Sequence, residues 1–446
     1  MAVKTAAWGS RSGFILAAIG FAVGLGNIWR FPYVTGENGG SAFVLVYLLC
    51  AFGIGVPILI AELMLGRRGQ KSPPFAFAKV GAEAGLSPAW SWVGNLTVLT
   101  AFGILISYAV VAGWVLAYFY QALLGNLLAD SPQIAALRFE QLLSDPVDLF
   151  FWGAASLGAA GIIIVNGVRG GIERAVKVLM PMLGVLLLCL MIYNALSGGM
   201  PAALNYLFTP DFSKVNGGTF LAALSQAFFS IGVAMAGMMM FGAYLPDDVS
   251  IPRSAIIIVA ADTLVALLAG LVIFPMVFEH GLDVGAGTGL IFQTLPVAFA
   301  RMEGGAIVGA VFFLLLCVAA ITSIVGLAEP VTGFVQERFN WTRRRATAAT
   351  FGALLPCSGI SALSFSTWSQ VSVYQRSLEG WIEYLPNQVM LPVGGLLIAI
   401  FVAWRLPSAI SGAELGSANN PWFRVWWRLM RFVVVPAVLM ILLTGL

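Results

Sequence analysis

The chain has 446 residues, 60% of them hydrophobic and only 10% charged, with a mean hydropathy of +0.93 and a formal net charge of +3. Soluble domains carry about a quarter of their residues as charges, so this composition excludes a soluble enzyme or binding module and predicts a polytopic membrane protein. The small, scattered positive excess reads as a topology signal and excludes a nucleic-acid partner.

A membrane-spanning helix needs about 20 mostly apolar residues, and about eleven such runs follow one another here, roughly 11–36, 41–66, 89–124, 149–166, 172–197, 217–244, 253–279, 304–337, 345–364, 385–404 and 426–445. The first run has no small-residue cleavage site behind a short apolar core, so it is expected to stay as an anchor. With the amino terminus inside, RRGQK at 67–71, TRRR at 342–345 and most other basic residues fall on the cytoplasmic side, leaving Arg30, Arg138, Lys214, Arg301 and Arg376 outside.

The first span contains GFAVGLGNIWRFPY at 20–33, an unusual density of glycine and polarity for a lipid-bound helix. An unsatisfied backbone group in hydrocarbon costs several kcal/mol, so helix-breaking sequence survives there only where it lines a cavity or touches protein. Gly20, Gly24 and Gly26 weaken the helix, and Asn27 places a side-chain carbonyl beside the weak turn. An opened turn offers carbonyl oxygens to a hard cation such as sodium, and amides at the positive end of the following half-helix to a carboxylate. The glycines alone suit close helix packing equally well. The sixth span weighs against that, because SQAFFSIGVAMAGMMMFGAYLP sets Gly232, Ala236 and Gly237 at mid-depth near Gln226 and Ser230. Two interrupted spans five helices apart predict a transporter with inverted repeats and a midplane site. The halves are then 1–200 and 201–410, with 411–446 a peripheral eleventh helix.

Other chemistries find little support. Cys50, Cys189, Cys317 and Cys357 lie in apolar runs without CxxC spacing and read as core thiols. His280, the single histidine, falls in an outer loop and cannot build a metal site alone. There is no GxSxG, Walker loop or complete GxGxxG, and the glycines of GAGTGL at 285–290 read as an outer turn.

The stretch WGSRSGFILAAIGFAVGLGNIWRFPYVTGENGGSAFVLVYLL, followed by ELMLGRR, closely resembles the opening signature of the neurotransmitter:sodium symporter family and its bacterial amino-acid branch. The likeness continues through NGVRGGIERAVKVLMP, LNYLFTPDF, SQAFFSIGVAMAG, AAITSIVGLAEP and NQVMLPVGGLL, nearly the whole chain. It implies symport of a small amino acid or amine with two sodium ions by a multi-pass protein of the cell membrane, here a bacterial inner membrane. By that resemblance the first sodium site joins Ala22, Asn27, Ser230 and Asp262 to the substrate carboxylate. The second joins the carbonyls of Gly20 and Val23 to Ala319, Thr322 and Ser323, which share one face of the eighth span at i, i+3 and i+4.

The resemblance also assigns Tyr108 to the substrate carboxylate, Phe229 to an aromatic lid, and Arg30 with Glu383 to the outer gate. Glu337 matches an acidic inner-gate residue whose usual basic partner is Thr5 here, leaving Lys4 as a stand-in. Relatives that carry amines place an Asp where this chain has Gly24, so an amino acid is implied. The substrate-binding residues implied on this side are Ala22, Gly24, Leu25, Gly26, Tyr108 and Ser230, with Gly24 leaving room and backbone amides for the carboxylate. The side-chain pocket, Ile104, Phe229, Gly232, Met235, Ser323 and Leu327, has no ionisable group and penalises a charged substrate side chain. Gly232 and the adaptable Met235 leave room for a large one, which implies hydrophobic L-amino acids, aromatic ones among them. A chloride-independent relative carries a Glu where this chain has Ala266. Asp262, one turn earlier, replaces the family's common Asn and would serve as both sodium ligand and built-in anion, near Tyr47, Gln226 and Ser230. A sensor or channel would share this site, and only a transport measurement separates the three.

Overall fold

The computed structural model describes residues 7–196, 198–282, 289–416 and 419–445. Among these residues it is all-α apart from a hairpin of two-residue strands, Ser372–Val373 and Arg376–Ser377. Among the described residues eight continuous helices are long and apolar enough to cross a membrane, and a bent pair, Arg11–Ala22 with Gly26–Glu37, makes a ninth span. The sixth span falls below that measure because it is split into Gly217–Ile231 and Gly237–Ala243. The eleventh, 421–445, carries Arg424, Arg428 and Arg431 in its first half. Short helices that hydropathy alone did not reveal lie between the spans, among them Pro73–Glu83, Pro132–Ser144 and Met200–Phe208. A further one, Leu290–Arg301, lies between spans seven and eight.

Both breaks have local causes. The halves of the first span meet at 47°. Gly24 N–H turns away from the helix to donate to Asn27 Oδ1 at 3.0 Å, and Asn27 N–H goes to the Gly24 carbonyl at 3.1 Å. In an unbroken helix these two amides would close onto the carbonyls of Gly20 and Val23. In the sixth span Gly232 ends the first half at φ 73°, and Ala234 and Ala236 both stand at φ 62° before the helix resumes. Left-handed alanine costs on the order of 1–2 kcal/mol. Glu62 on the second span holds this turn, its Oε1 accepting the Ala234 N–H. The approach that makes this possible is backbone to backbone: a Cβ on Gly66 would lie 1.9 Å from the Met239 carbonyl, and one on Gly242 2.6 Å from that of Leu63. Small residues at such crossings are the usual means of helix association in lipid.

The amino-terminal face of the bundle is closed. Trp8 is buried, with its indole N–H on the Phe241 carbonyl at 3.0 Å. Glu173 accepts from Gly9 N–H, the Ser10 hydroxyl and Lys177 at 2.6–2.7 Å. Glu329, fully buried, pairs with Arg343 and accepts the Tyr244 hydroxyl at 2.8 Å. The opposite face is open to a vestibule. Of the cysteines, Cys50 and Cys317 are buried, but Cys189 is exposed on the outer surface of the bundle. Apolar sequence does not tell a core position from a lipid-facing one. His280 caps the helix Ile251–Glu279, its carbonyl accepting from Arg301. Lys4, Thr5 and most of GAGTGL lie outside the described residues.

Candidate functional site

Where the two broken turns face each other, a polar knot is buried in the centre of the bundle. Asn27 Nδ2 donates to Asp262 Oδ1 at 2.7 Å, to the Asp262 carbonyl at 3.0 Å and to Ser230 Oγ at 3.0 Å. Ser230 Oγ donates to Asp262 Oδ2 at 2.8 Å, and the Tyr47 hydroxyl lies 3.4 Å from the same oxygen. All four residues are essentially inaccessible to solvent. Among the described residues no cationic side chain bonds to Asp262, and its carboxylate meets the neutral dipoles of Asn27, Ser230 and Tyr47. The structure thus gathers Asn27, Ser230 and Asp262, with Ala22 buried on the adjacent turn.

The second group lies against the eighth span. Gly20 and Val23 carry the carbonyls deprived of their helical donors, and Ser323 Oγ approaches the Phe21 carbonyl at 3.4 Å. The Thr322 hydroxyl is bonded back to the carbonyls of Val318 and Ala319, each at 3.0 Å, so its lone pairs face away from its own helix. No cluster of three or more His, Cys, Asp or Glu side chains occurs among the described residues. The available ligands are therefore carbonyls, hydroxyls and single carboxylates, a donor set for a hard cation.

Above the knot, a small pocket of about 20 Å³ is lined by Phe21, Ala22, Gly24, Gly26, Ile104, Tyr108, Phe229, Gly232, Met235, Ser323 and Leu327. Leu25 stands just above it, its N–H directed at the Tyr108 hydroxyl at 3.3 Å. A cavity of that size holds about one water, so anything larger enters only when the wall moves. Phe21, which the residue pattern did not single out, forms that wall. Its ring fills space left by three glycines: a Cβ on Gly232, Gly237 or Gly326 would come within 2.8, 2.4 or 2.2 Å of it. The matching glycines on spans six and eight were the signal. Gly24 is equally constrained, since a Cβ there would lie 2.2 Å from Ser323 Oγ and 3.1 Å from the Tyr108 hydroxyl.

Outward of Phe229 a cavity of about 520 Å³ opens, bordered by Trp29, Arg30, Tyr33, Arg376, Glu383 and Tyr384 among others. Arg30 and Glu383 share it without forming an ion pair. Arg30 instead lies 4.9 Å over the Phe229 ring and donates to Gln226 Oε1 at 3.1 Å, while Gln226 Nε2 reaches the Gly26 carbonyl at 2.9 Å. At the other end Glu337 accepts from the backbone and hydroxyl of Ser72 at 3.0 and 2.7 Å, where the resemblance pointed to a basic partner.

The family model described as the sodium:neurotransmitter symporter family matches residues 5–133 and 135–445. The chain belongs to this family. An uncharacterized sodium-dependent transporter of Bacillus subtilis, YhdH, is 32% identical over 99% of this chain and 97% of its own. A counterpart in Haemophilus influenzae is 30% identical over 98% of both. The crystal structure of MhsT in complex with L-phenylalanine superposes with a TM-score of 0.91 at 38% identity, covering 99% of this chain and all of that one. The protein is therefore a sodium-dependent, multi-pass membrane transporter with the broken-helix fold of MhsT. Sodium is its cargo, and the family is one of transporters rather than enzymes.

Proposed function

We propose that the transporter imports hydrophobic L-amino acids, aromatic ones included, with two sodium ions and without chloride. The observation that carries this reading is the placement of Asp262, a buried carboxylate held by Asn27 and Ser230 beneath a broken turn. A sodium ion replacing Asn27's bonds would draw on Ala22, Asn27, Ser230, Asp262 and the substrate carboxylate. That carboxylate would take the amides of Leu25 and Gly26 and the Tyr108 hydroxyl. A second sodium would sit between the carbonyls of Gly20, Val23 and Ala319 and the hydroxyls of Thr322 and Ser323. Asp262 would supply the negative charge that chloride supplies in some relatives, and protonation in the sodium-free return state would let it carry a proton outward.

The bound L-phenylalanine in MhsT supports an aromatic substrate here. Met235 and Phe229 would move aside to enlarge the small pocket, Met235 through its flexible thioether chain. Binding would draw Arg30 and Glu383 together over Phe229, closing the vestibule, while the first repeat rocks against the second and Glu337 releases the inner side. The charge distribution supports a cytoplasmic amino terminus, and the bacterial relatives support a plasma-membrane location. Purified protein in sealed vesicles should accumulate labelled phenylalanine against its gradient only when sodium is imposed outside. Binding without accumulation would establish a sensor, and collapse of an existing gradient a channel.

A further inference from the structure

Away from the transport path, a groove of about 890 Å³ opens on the outer surface of the bundle. The surface helix Pro73–Glu83, the start of span three, the end of span eight and the start of span nine wall it. Its lining keeps strict helical spacing. Val331, Phe334, Val335 and Arg338 form one stripe of span eight, and Trp92, Asn95, Leu99 and Phe102 one stripe of span three. Phe75 and Phe334 stack across the floor at 6.2 Å, while Phe339 and Trp341 stack at the rim at 5.0 Å. Trp92 and Leu99 remain 73% and 57% exposed, so no element among the described residues covers the groove.

Its position and ends define an occupant. The groove opens at the amino-terminal side of the bundle, cytoplasmic in the orientation proposed above, and residues 91–102 extend it about 16 Å into the membrane. That is about half of a hydrocarbon core of ~30 Å, the depth of one leaflet's acyl chains. Its mouth is basic. Arg338 lines it, and Arg345 lies one turn before the groove-lining Ala349 on the same face of span nine. Among the described residues neither guanidinium has an ion pair or a hydrogen-bond partner, whereas neighbouring Arg343 is committed to Glu329 and the Ile164 carbonyl. Paired aromatics at the rim and free cations beside an acyl-length trough match a lipid with a negative headgroup.

We propose that this groove is a binding site for an anionic phospholipid, one acyl chain lying along spans three and eight and the phosphate engaged by Arg338 and Arg345. The site also touches the inner end of the path, because Glu337, next to Arg338, is the residue that holds Ser72 at the start of the surface helix.

The test is native mass spectrometry of the purified full chain titrated with phosphatidylglycerol or phosphatidylcholine of identical acyl composition. Phosphatidylglycerol should be retained at least tenfold more strongly. Each arginine near the surface contributes about a fivefold factor, so the Arg338→Gln, Arg345→Gln double variant should weaken its binding on the order of 25-fold. Ala353→Trp, at an exposed groove position, should displace it by occupying the trough. Amino-acid binding retained by both variants would show that they are folded. Equal retention of the two lipids would overturn the proposal, as would phosphatidylglycerol binding that survives the double variant. Binding unaffected by Ala353→Trp would reduce the site to surface charge and refute the groove.

Discussion

Replacing Asp262 by Asn removes one charge and almost no volume at the centre of the polar knot. The fold should tolerate it, since the amide oxygen can still accept from Asn27 and the amide nitrogen can donate to the Ser230 and Tyr47 hydroxyls, which now lie 2.8 and 3.4 Å from Oδ2. Sodium binding should not tolerate it. A sodium ion coordinated about 2.5 Å from a carboxylate oxygen gains about 7 kcal/mol at an effective dielectric of ~20. The amide dipole returns part of this, leaving a loss of about 3 kcal/mol, on the order of 100-fold in sodium affinity. Sodium titrations of phenylalanine binding, run in chloride and in gluconate, measure that loss directly. The unmodified protein should give the same affinity in both salts, and the variant should recover part of its affinity in chloride alone. Strict chloride dependence of the unmodified protein, or a variant with unchanged sodium affinity and uptake, would refute the assignment of Asp262 as ligand and built-in anion.

Coupling to two ions, as proposed, would make uptake electrogenic: 100 mV would supply about 4.6 kcal/mol for two charges and tenfold sodium gradients about 1.4 kcal/mol per ion. Together these permit roughly 10⁵-fold accumulation, and vesicle uptake that ignores the membrane potential would exclude two-sodium coupling. Met235→Phe should overfill the pocket at a cost of about 1–3 kcal/mol, borne mainly by tryptophan and tyrosine, so competition assays should show alanine and valine far less affected. Gly326→Ala should drive the Phe21 ring into the same pocket, because its Cβ would stand 2.2 Å from that ring, and large substrates should again lose most. Arg343→Gln should leave Glu329 buried without its cation, costing about 3–5 kcal/mol, visible as a lower unfolding temperature in detergent with the order of substrate preference unchanged.

The membrane environment is what makes so much of this protein legible from its residues alone. Lipid turns polarity and helix-breaking into conspicuous events, so the spans, the breaks near Gly24 and Gly232, and the buried Asp262 all stand out against an apolar background. Contiguous motifs then carry the family resemblance. What tertiary structure decided depends on contacts between residues far apart in the chain. That Phe21 walls the pocket follows from glycines on two other helices. That Ala234 adopts a left-handed conformation follows from Glu62, 172 positions away. That Cys189 faces outward while Cys50 faces inward is a matter of rotation about helix axes, which uniform apolarity conceals. The partners of Arg30 lay furthest from view. In the closure proposed above Arg30 would exchange these partners for Glu383, and one sequence would encode both arrangements, whereas the structure holds Arg30 over Phe229, beside Gln226 and apart from Glu383.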